Sequence, residues 1–215
     1  MRQKLKFLTA VLLSILPFNI LRCFFYRHIF GYQIIDSSIG FGTVIFVTQA
    51  RMDRCSIGRF NKFLGPMTLS IGQRSRIETH NTFDCGDWTA DERHSSRYER
   101  TLFIGDATLI TNWHFFDVAG HLSIGKGSWI AGRGSQFWTH GVNTEDRNIS
   151  IGSHSYIGSA VRFAPGSGVA DNVIVALGSI VTRRFTESDA LIGGCPAKLL
   201  KESCGWKMRR PADVP

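Results

Sequence analysis

Seven histidines can carry a proton near neutral pH: His28, His80, His94, His114, His121, His140 and His154. Imidazole is the side chain best suited to take a proton from a hydroxyl or amine at that pH, so acid–base chemistry is sought among these seven. His140 stands out by position. It closes the segment Ile130–Thr139 (IAGRGSQFWT) and opens a polar stretch, residues 141–150 (GVNTEDRNIS). His114 lies upstream in Thr111–Asp117 (TNWHFFD). It reads either as a second group facing the same cleft, binding an acceptor or orienting His140, or as a buried structural imidazole. Asn112 could fill either of the first two roles. His121 and His154 sit beside Ile-Gly pairs and read as turn residues, and His28, His80 and His94 have no partner signal.

What positions these residues is a beat of six. From Ile151 the chain reads IGSHSY, IGSAVR, FAPGSG, VADNVI, VALGSI and then Val181. Ile151, Ile157, Phe163, Val169 and Val175 each lead a hexad and are each followed by Gly or Ala. The beat recurs at Ile39, Ile45, Ile57, Phe63 and Leu69, with Arg51 as an exception. It resets at Ile71, Ile77 and Phe83, and returns at Ile104, Ile110 and Phe116 and at Ile124 and Ile130. Such a period matches neither the helical turn of about 3.6 residues nor the alternation of a hairpin sheet. It matches a prism of three flat faces with about 18 residues per circuit. One aliphatic side chain per face points inward, and circuits pair as parallel sheet about 4.8 Å apart. The residue after each lead is expected to be small because the backbone turns a tight corner there. The expected core is narrow and aliphatic, and both open ends need covers. The chain then divides into an apolar and basic helical segment at 1–34, a β-helix domain at 35–186 and a capping segment at 187–215.

Two insertions break the beat, residues 84–101 (DCGDWTADERHSSRYERT) and 141–150. Insertions in repeat folds leave one side as loops and carry binding. Trp88 and Tyr98 read as platforms for a sugar ring or as contacts between subunits.

Composition sets the class. The chain has 215 residues, 43% hydrophobic and 20% charged, enough for one domain with an appendage and too apolar for disorder. Its five cysteines, with no Cys-x-x-Cys, exclude a disulfide scaffold and point to reduced thiols in the cytoplasm. The net charge of +8 gathers at two ends. Arg2, Lys4, Lys6, Arg22 and Arg27 precede the first acid, Asp36. Arg183, Arg184, Lys198, Lys201, Lys207, Arg209 and Arg210 lie near the C-terminus. No nucleic-acid-binding signature accompanies them, so nucleic acid is not the expected partner. A phospholipid surface at the front and a phosphorylated cofactor at the back are, beside a plain solvated surface. Pro17, Asn19 and Arg22 break the apolar run too early for a span of about 20 residues, and no signal-cleavage site follows. Residues 1–30 therefore read as interfacial helices, which would hold the protein at the inner face of a membrane, or as helices packed on their own domain or a partner subunit.

The hexads, with Gly193-Gly194-Cys195-Pro196-Ala197-Lys198 after them, resemble the left-handed β-helix, hexapeptide-repeat acyltransferases. That family includes galactoside, maltose, serine and xenobiotic acetyltransferases and bacterial sugar and polysaccharide O-acetyltransferases. The resemblance covers about residues 35–202 and is strongest from Ile124. It implies an all-β fold, a left-handed parallel β-helix with short helical segments at both termini, against the usual right-handed crossover. It also implies a homotrimer with active sites between neighbouring coils. The implied reaction moves an acetyl group from acetyl-CoA to a hydroxyl of a saccharide acceptor, in surface polysaccharide biosynthesis, by direct attack on the thioester with His140 as general base. Ser159 would sit near the thioester, where it could serve the oxyanion. Leu177, Gly178 and Thr182 would line the pantetheine arm. Lys198 and Lys201, assisted by Arg183, would meet phosphates; the two lysines read equally as the solvated face of a C-terminal helix. Cys195 stands in the family's usual Val position, and the linker Phe185-Thr186-Glu187 is short.

Rivals share the fold. A γ-class carbonic anhydrase pairs histidines five residues apart to hold zinc. Here 114 and 121 differ by seven and 140 and 154 by fourteen, so no metal is expected. A hexapeptide-repeat nucleotidyltransferase needs a Gly-rich nucleotide domain in front of the coils, where this chain has 34 residues. N-acetylation of an amino sugar or other small amine, and a non-catalytic scaffold or glycan-binding role, stay open as alternatives.

Overall fold

The beat of six folds as three flat faces. The computed structural model describes residues 2–204, Arg2 by its backbone alone. Residues 205–215, which hold Lys207, Arg209, Arg210 and the last part of the expected capping segment, lie outside the described residues. Face 1 stacks Ser38–Ile39, Ser56–Ile57, Arg76–Ile77, Leu109–Asn112, Trp129–Arg133, Tyr156–Ile157, Ile174–Val175 and Leu191–Gly194. Face 2 stacks Thr82–Asp84, Phe115–Asp117, Gln136–Phe137, Arg162–Phe163 and Ile180–Val181. Face 3 stacks Thr101–Ile104, His121–Ile124, Ile149–Ile151, Gly168–Val169 and Arg184–Phe185. Two long strands, Val44–Asp53 and Lys62–Ile71, run unbroken through the corner between faces 2 and 3 and join them into one sheet. Pairing on these faces is parallel and in register, Ile77 on Ile110, Ile110 on Ile130 and Ile130 on Ile157.

Three details differ from the sequence expectation. At Arg51 a register shift between Val47 and Gln49 moves the inward position to Met52, which is buried and pairs with Ile71. The small residue after each lead is required by the next coil rather than by a left-handed turn. A Cβ on Gly58 would lie 2.4 Å from the Glu78 carbonyl oxygen, and one on Gly152 would lie 2.4 Å from that of Ala170. Positive φ falls instead on other corner residues, among them Phe60, His80 and Trp113. Third, the core is aliphatic on face 1 and, up to Phe185, on face 3, but aromatic on face 2 as far as Phe163. Phe63, Phe83, Phe116, Phe137 and Phe163, all buried, stack with centroids 4.4–5.1 Å apart and planes within 14°. One ring type at one position per circuit must stack when circuits pair in register.

Both ends are covered, by different means. Helices α1 (Arg2–Ser14) and α2 (Asn19–Phe30) pack over the first coil. They also satisfy its free edge. Tyr26 Oη accepts from Ile45 N at 3.1 Å and Tyr32 Oη from Val47 N at 3.0 Å. Asn19 Oδ1 accepts from Ile39 N at 2.8 Å, and the buried Arg22 donates through Nε to the Ile39 carbonyl at 2.8 Å. The far end carries a hairpin where a helix was expected. Ala197–Lys201 returns antiparallel on Leu191–Gly194, with Gly193 opposite Lys198, because the tight turn at Gly194-Cys195-Pro196 reverses the chain. All five cysteines are free thiols.

Deleting a ring from the stack should leave a cavity that rigid circuits cannot close. Phe116→Ala is expected to lower stability by about 3–5 kcal/mol and Phe116→Leu by less. Urea denaturation measures both, and equal stabilities for wild type and Phe116→Ala would deny the stack its place in the core.

Candidate active site

Both insertions leave the same corner, between faces 2 and 3. The first spans from Asp84 to Thr101 and the second from Phe137 to Ile149. Because Phe116 pairs with Phe137, the chain after Phe137 passes directly over the chain after Phe116. That brings Thr139 and His140 of one circuit onto Asp117 of the circuit before.

Asp117 is buried, and its Oδ2 gathers four contacts. Thr139 N and Thr139 Oγ1 each donate at 2.7 Å, His140 N at 3.1 Å, and His140 Nδ1 lies 2.8 Å away. A carboxylate oxygen held by that many donors is fixed in place. The negative charge of Asp117 adds to burial in raising the carboxyl pKa of Asp84, its neighbour one circuit below. With Nδ1–H directed at Asp117, the lone pair of His140 is on Nε2, and its side chain remains 38% exposed. Asp117 is the residue that the sequence reading missed. The signal was its position: it follows the face-2 lead Phe116 by one residue, and His140 follows the next lead, Phe137, by three.

Aromatic groups from both insertions surround this imidazole. The ring of Trp88 lies 5.5 Å from that of His140 and the ring of Trp138 6.4 Å away, both partly exposed. Tyr98 packs edge-on to Trp88 at 5.0 Å. The loops brace each other, with the Arg147 guanidinium 4.8 Å over the Tyr98 ring and Asn148 Nδ2 donating to Glu99 Oε1 at 3.2 Å.

His114 and Asn112 are elsewhere, at the corner between faces 1 and 2. His114 is buried and occupies the rung two residues before the face-2 lead, as do Asn61, Asn81 and Ser135. Each of these side chains takes a backbone N–H from the next circuit. Asn61 Oδ1 accepts from Asn81 N at 2.9 Å, Asn81 Oδ1 from His114 N at 2.9 Å, and His114 Nδ1 from Ser135 N at 3.1 Å. Nε2 of His114 then faces Thr111 Oγ1 at 3.1 Å. Asn112 Oδ1 accepts from Thr79 N and Oγ1, and its Nδ2 donates to Glu78 Oε2 at 3.0 Å. Neither residue meets His140 within one chain. Ser159, Leu177 and Gly178 share this corner; Gly178 N donates to the Ser159 carbonyl at 2.9 Å, and Leu177 is exposed. Thr182 and Arg183 lie at the His140 corner, above the insertions, with the Arg183 guanidinium 4.0 Å over the Phe185 ring. Lys198 and Lys201 are exposed on the terminal strand. The sequence-predicted groups thus divide between two corners with face 2 between them. Among the described residues, no cluster of three His, Cys, Asp or Glu side chains is arranged to hold a metal.

Burial lowers the pKa of His114 to about 4, since a proton on Nδ1 would be both desolvated and set against Ser135 N–H. The unfolded chain takes up that proton as pH falls below about 6.5, whereas the folded chain resists until about 4. Stability from this group is therefore present at neutral pH and lost as pH falls between those values, by roughly 3 kcal/mol in all. His114→Asn, which copies the Asn61 and Asn81 rungs, should remove that part of the acid slope. Urea denaturation at about pH 7 and about pH 4.5 reads it, and an unchanged slope in the variant would place its origin elsewhere.

No model of a known protein family matches the chain. Solved structures do match its fold. LpxA from Acinetobacter baumannii aligns over 85% of this chain and 74% of its own, at 14% identity and a TM-score of 0.54. The UDP-N-acetylglucosamine acyltransferase from Campylobacter jejuni aligns over 84% of this chain and 74% of its own, at 13% identity and a TM-score of 0.55. A mirror-image coil would not superpose in this way, so the circuits wind with the hand of those proteins. The chain is thus a left-handed parallel β-helix, with the fold of the hexapeptide-repeat acyltransferases that its hexads resemble.

Proposed function

We propose that this chain is an acyltransferase that moves an acetyl group from acetyl-CoA to a hydroxyl of a saccharide, in the making of a surface polysaccharide. The observation that carries the reading is the pair formed by Asp117 and His140, whose carboxylate-to-Nδ1 distance of 2.8 Å leaves Nε2 as an accessible base. Nε2 accepts the proton of the acceptor hydroxyl as its oxygen attacks the thioester carbonyl. The carbon–sulfur bond breaks, coenzyme A leaves as a thiolate, and the imidazolium returns the proton to that sulfur. Asp117 acts through His140 as a positioning residue, fixing its tautomer and stabilising the imidazolium that forms. Cys85 in the same corner is buried, and burial pushes its thiol pKa up to about 11. That makes it a poor acyl carrier and favours direct transfer. Trp88 and Trp138 set two partly exposed indoles beside the His140 ring, which suit the apolar face of a pyranose better than a small amine.

The split of the predicted groups favours a homotrimer. The corner with Ser159, Leu177 and Gly178 on one protomer and the corner with His140, Thr182 and Arg183 on the next would line one groove between them. Lys198 and Lys201 would then be free to meet phosphates.

Acetyl-CoA consumption across sugar, sugar-nucleotide and lipid-linked acceptors tests the proposal. Wild type should turn over with at least one class. His140→Ala should lose roughly 10²–10⁴-fold in rate, and Asp117→Asn should lower kcat with little change in the KM for acetyl-CoA. Undiminished turnover by His140→Ala would sink the mechanism, and glycan binding without turnover by wild type would favour the scaffold alternative.

A further inference from the structure

The two N-terminal helices have one face committed to the first coil and another that none of the described residues covers. Leu8, Leu12, Ile15, Phe18, Ile20 and Phe24 are all exposed, Phe18 by 66% and Ile20 by 79%. The helices run antiparallel, since Tyr26 meets Ala10 and Arg22 meets Leu16. Lys4, Lys6, Arg27 and His28, all exposed, therefore gather at the open end of the hairpin. No acid occurs before Asp36.

We propose that this outer face rests in the headgroup region of an anionic phospholipid bilayer, apolar side chains inserted and the basic end against phosphates. Helices of 13 and 12 residues are about 20 and 18 Å long, which suits lying on a bilayer and falls short of its hydrocarbon core of about 30 Å. Among the described residues no helix is long and apolar enough to cross a membrane. Charge decides between a bilayer and a second copy of the chain. In a symmetric contact the patch packs against a second copy of itself, and because it holds no acid, Lys4, Lys6 and Arg27 would find no carboxylate there to pair with. A surface of lipid phosphates supplies the missing negative charge. The edge hydrogen bonds of Tyr26, Tyr32, Asn19 and Arg22 hold the opposite side of the hairpin, and Lys4, Lys6, Leu12 and Ile20 take no part in them, whereas Arg27 also donates through Nε to the Ile34 carbonyl at 2.7 Å.

Co-sedimentation of the full chain with vesicles of phosphatidylcholine alone, or mixed with phosphatidylglycerol, tests the inference. The chain should pellet with the mixed vesicles, at least about tenfold more weakly with the neutral ones, and more weakly at high salt. Leu12→Gln/Ile20→Gln, and separately Lys4→Gln/Lys6→Gln, should each cut binding about tenfold or more with the melting temperature unchanged. Equal binding by wild type and both variants would overturn the proposal. So would an absence of vesicle binding, including the case where Leu12→Gln/Ile20→Gln splits a larger oligomer, which would assign the face to a second copy.

Discussion

Parallel circuits in register set every residue about 4.8 Å above its counterpart one turn earlier, and this spacing governs the rest of the molecule. Like therefore falls on like. Five phenylalanines become one stack because one position per circuit is repeated, and Asn61, Asn81, His114 and Ser135 become a ladder for the same reason. The ladder disposes of a problem inherent in corners, where the backbone leaves the sheet and its N–H groups lose their strand partners. Each buried side chain takes one of those groups, so the corners can be dry. The same rule produces the Asp117–His140 pair. It arises when a circuit is two residues out of step after Phe137 and an imidazole lands on a carboxylate instead of on its own equivalent.

The three-sided section also decides what can meet. Two side chains interact when they share a corner, however far apart they are in sequence, and fail to interact across a face, however close. His114 and His140 are 26 residues apart, little more than one circuit, yet they occupy different corners. Trp88 and His140 are twice as far apart in sequence and their rings lie 5.5 Å from each other.

Much of this was legible beforehand. Exact spacing of apolar leads with small followers specified the prism, since no other regular structure has that period. The two insertions marked the corner that carries the candidate site, and His140 stood at the foot of one of them. What escaped was whatever depends on phase within the circuit. His114 read either as a second group at the cleft or as a buried structural imidazole, and the sequence alone did not choose. Its place two residues before a face-2 lead, shared with Asn61 and Asn81, marks it as a rung of the corner ladder. Asp117 drew no attention because a lone acid after an aromatic run has no local signature; its meaning lies 23 residues on. The resemblance implied a helix for the C-terminal segment, and it pairs as a strand because Leu191–Gly194 offers an open edge.

Rigidity and adaptability are separated in this architecture, and the position of the candidate site follows from that separation. Inward positions are held by packing, and positions after a lead are held by the backbone of the next circuit, as the Gly58 and Gly152 approaches require. Neither can be altered for the sake of a ligand. A corner can, because lengthening it leaves the strands on both sides in register, as the paired segments Phe116–Phe137 and Ile124–Ile151 demonstrate around the second insertion. Asp117 therefore stands on a paired strand, and His140, three residues past the end of the next one, is fixed to it by contacts from both its ring and its backbone. The tryptophans that would define the acceptor belong to the loop and to the edge of the corner, where change costs the core nothing. Residues 84–101 and 141–150 can be rewritten in a chain of this fold while Asp117 and His140 keep their places.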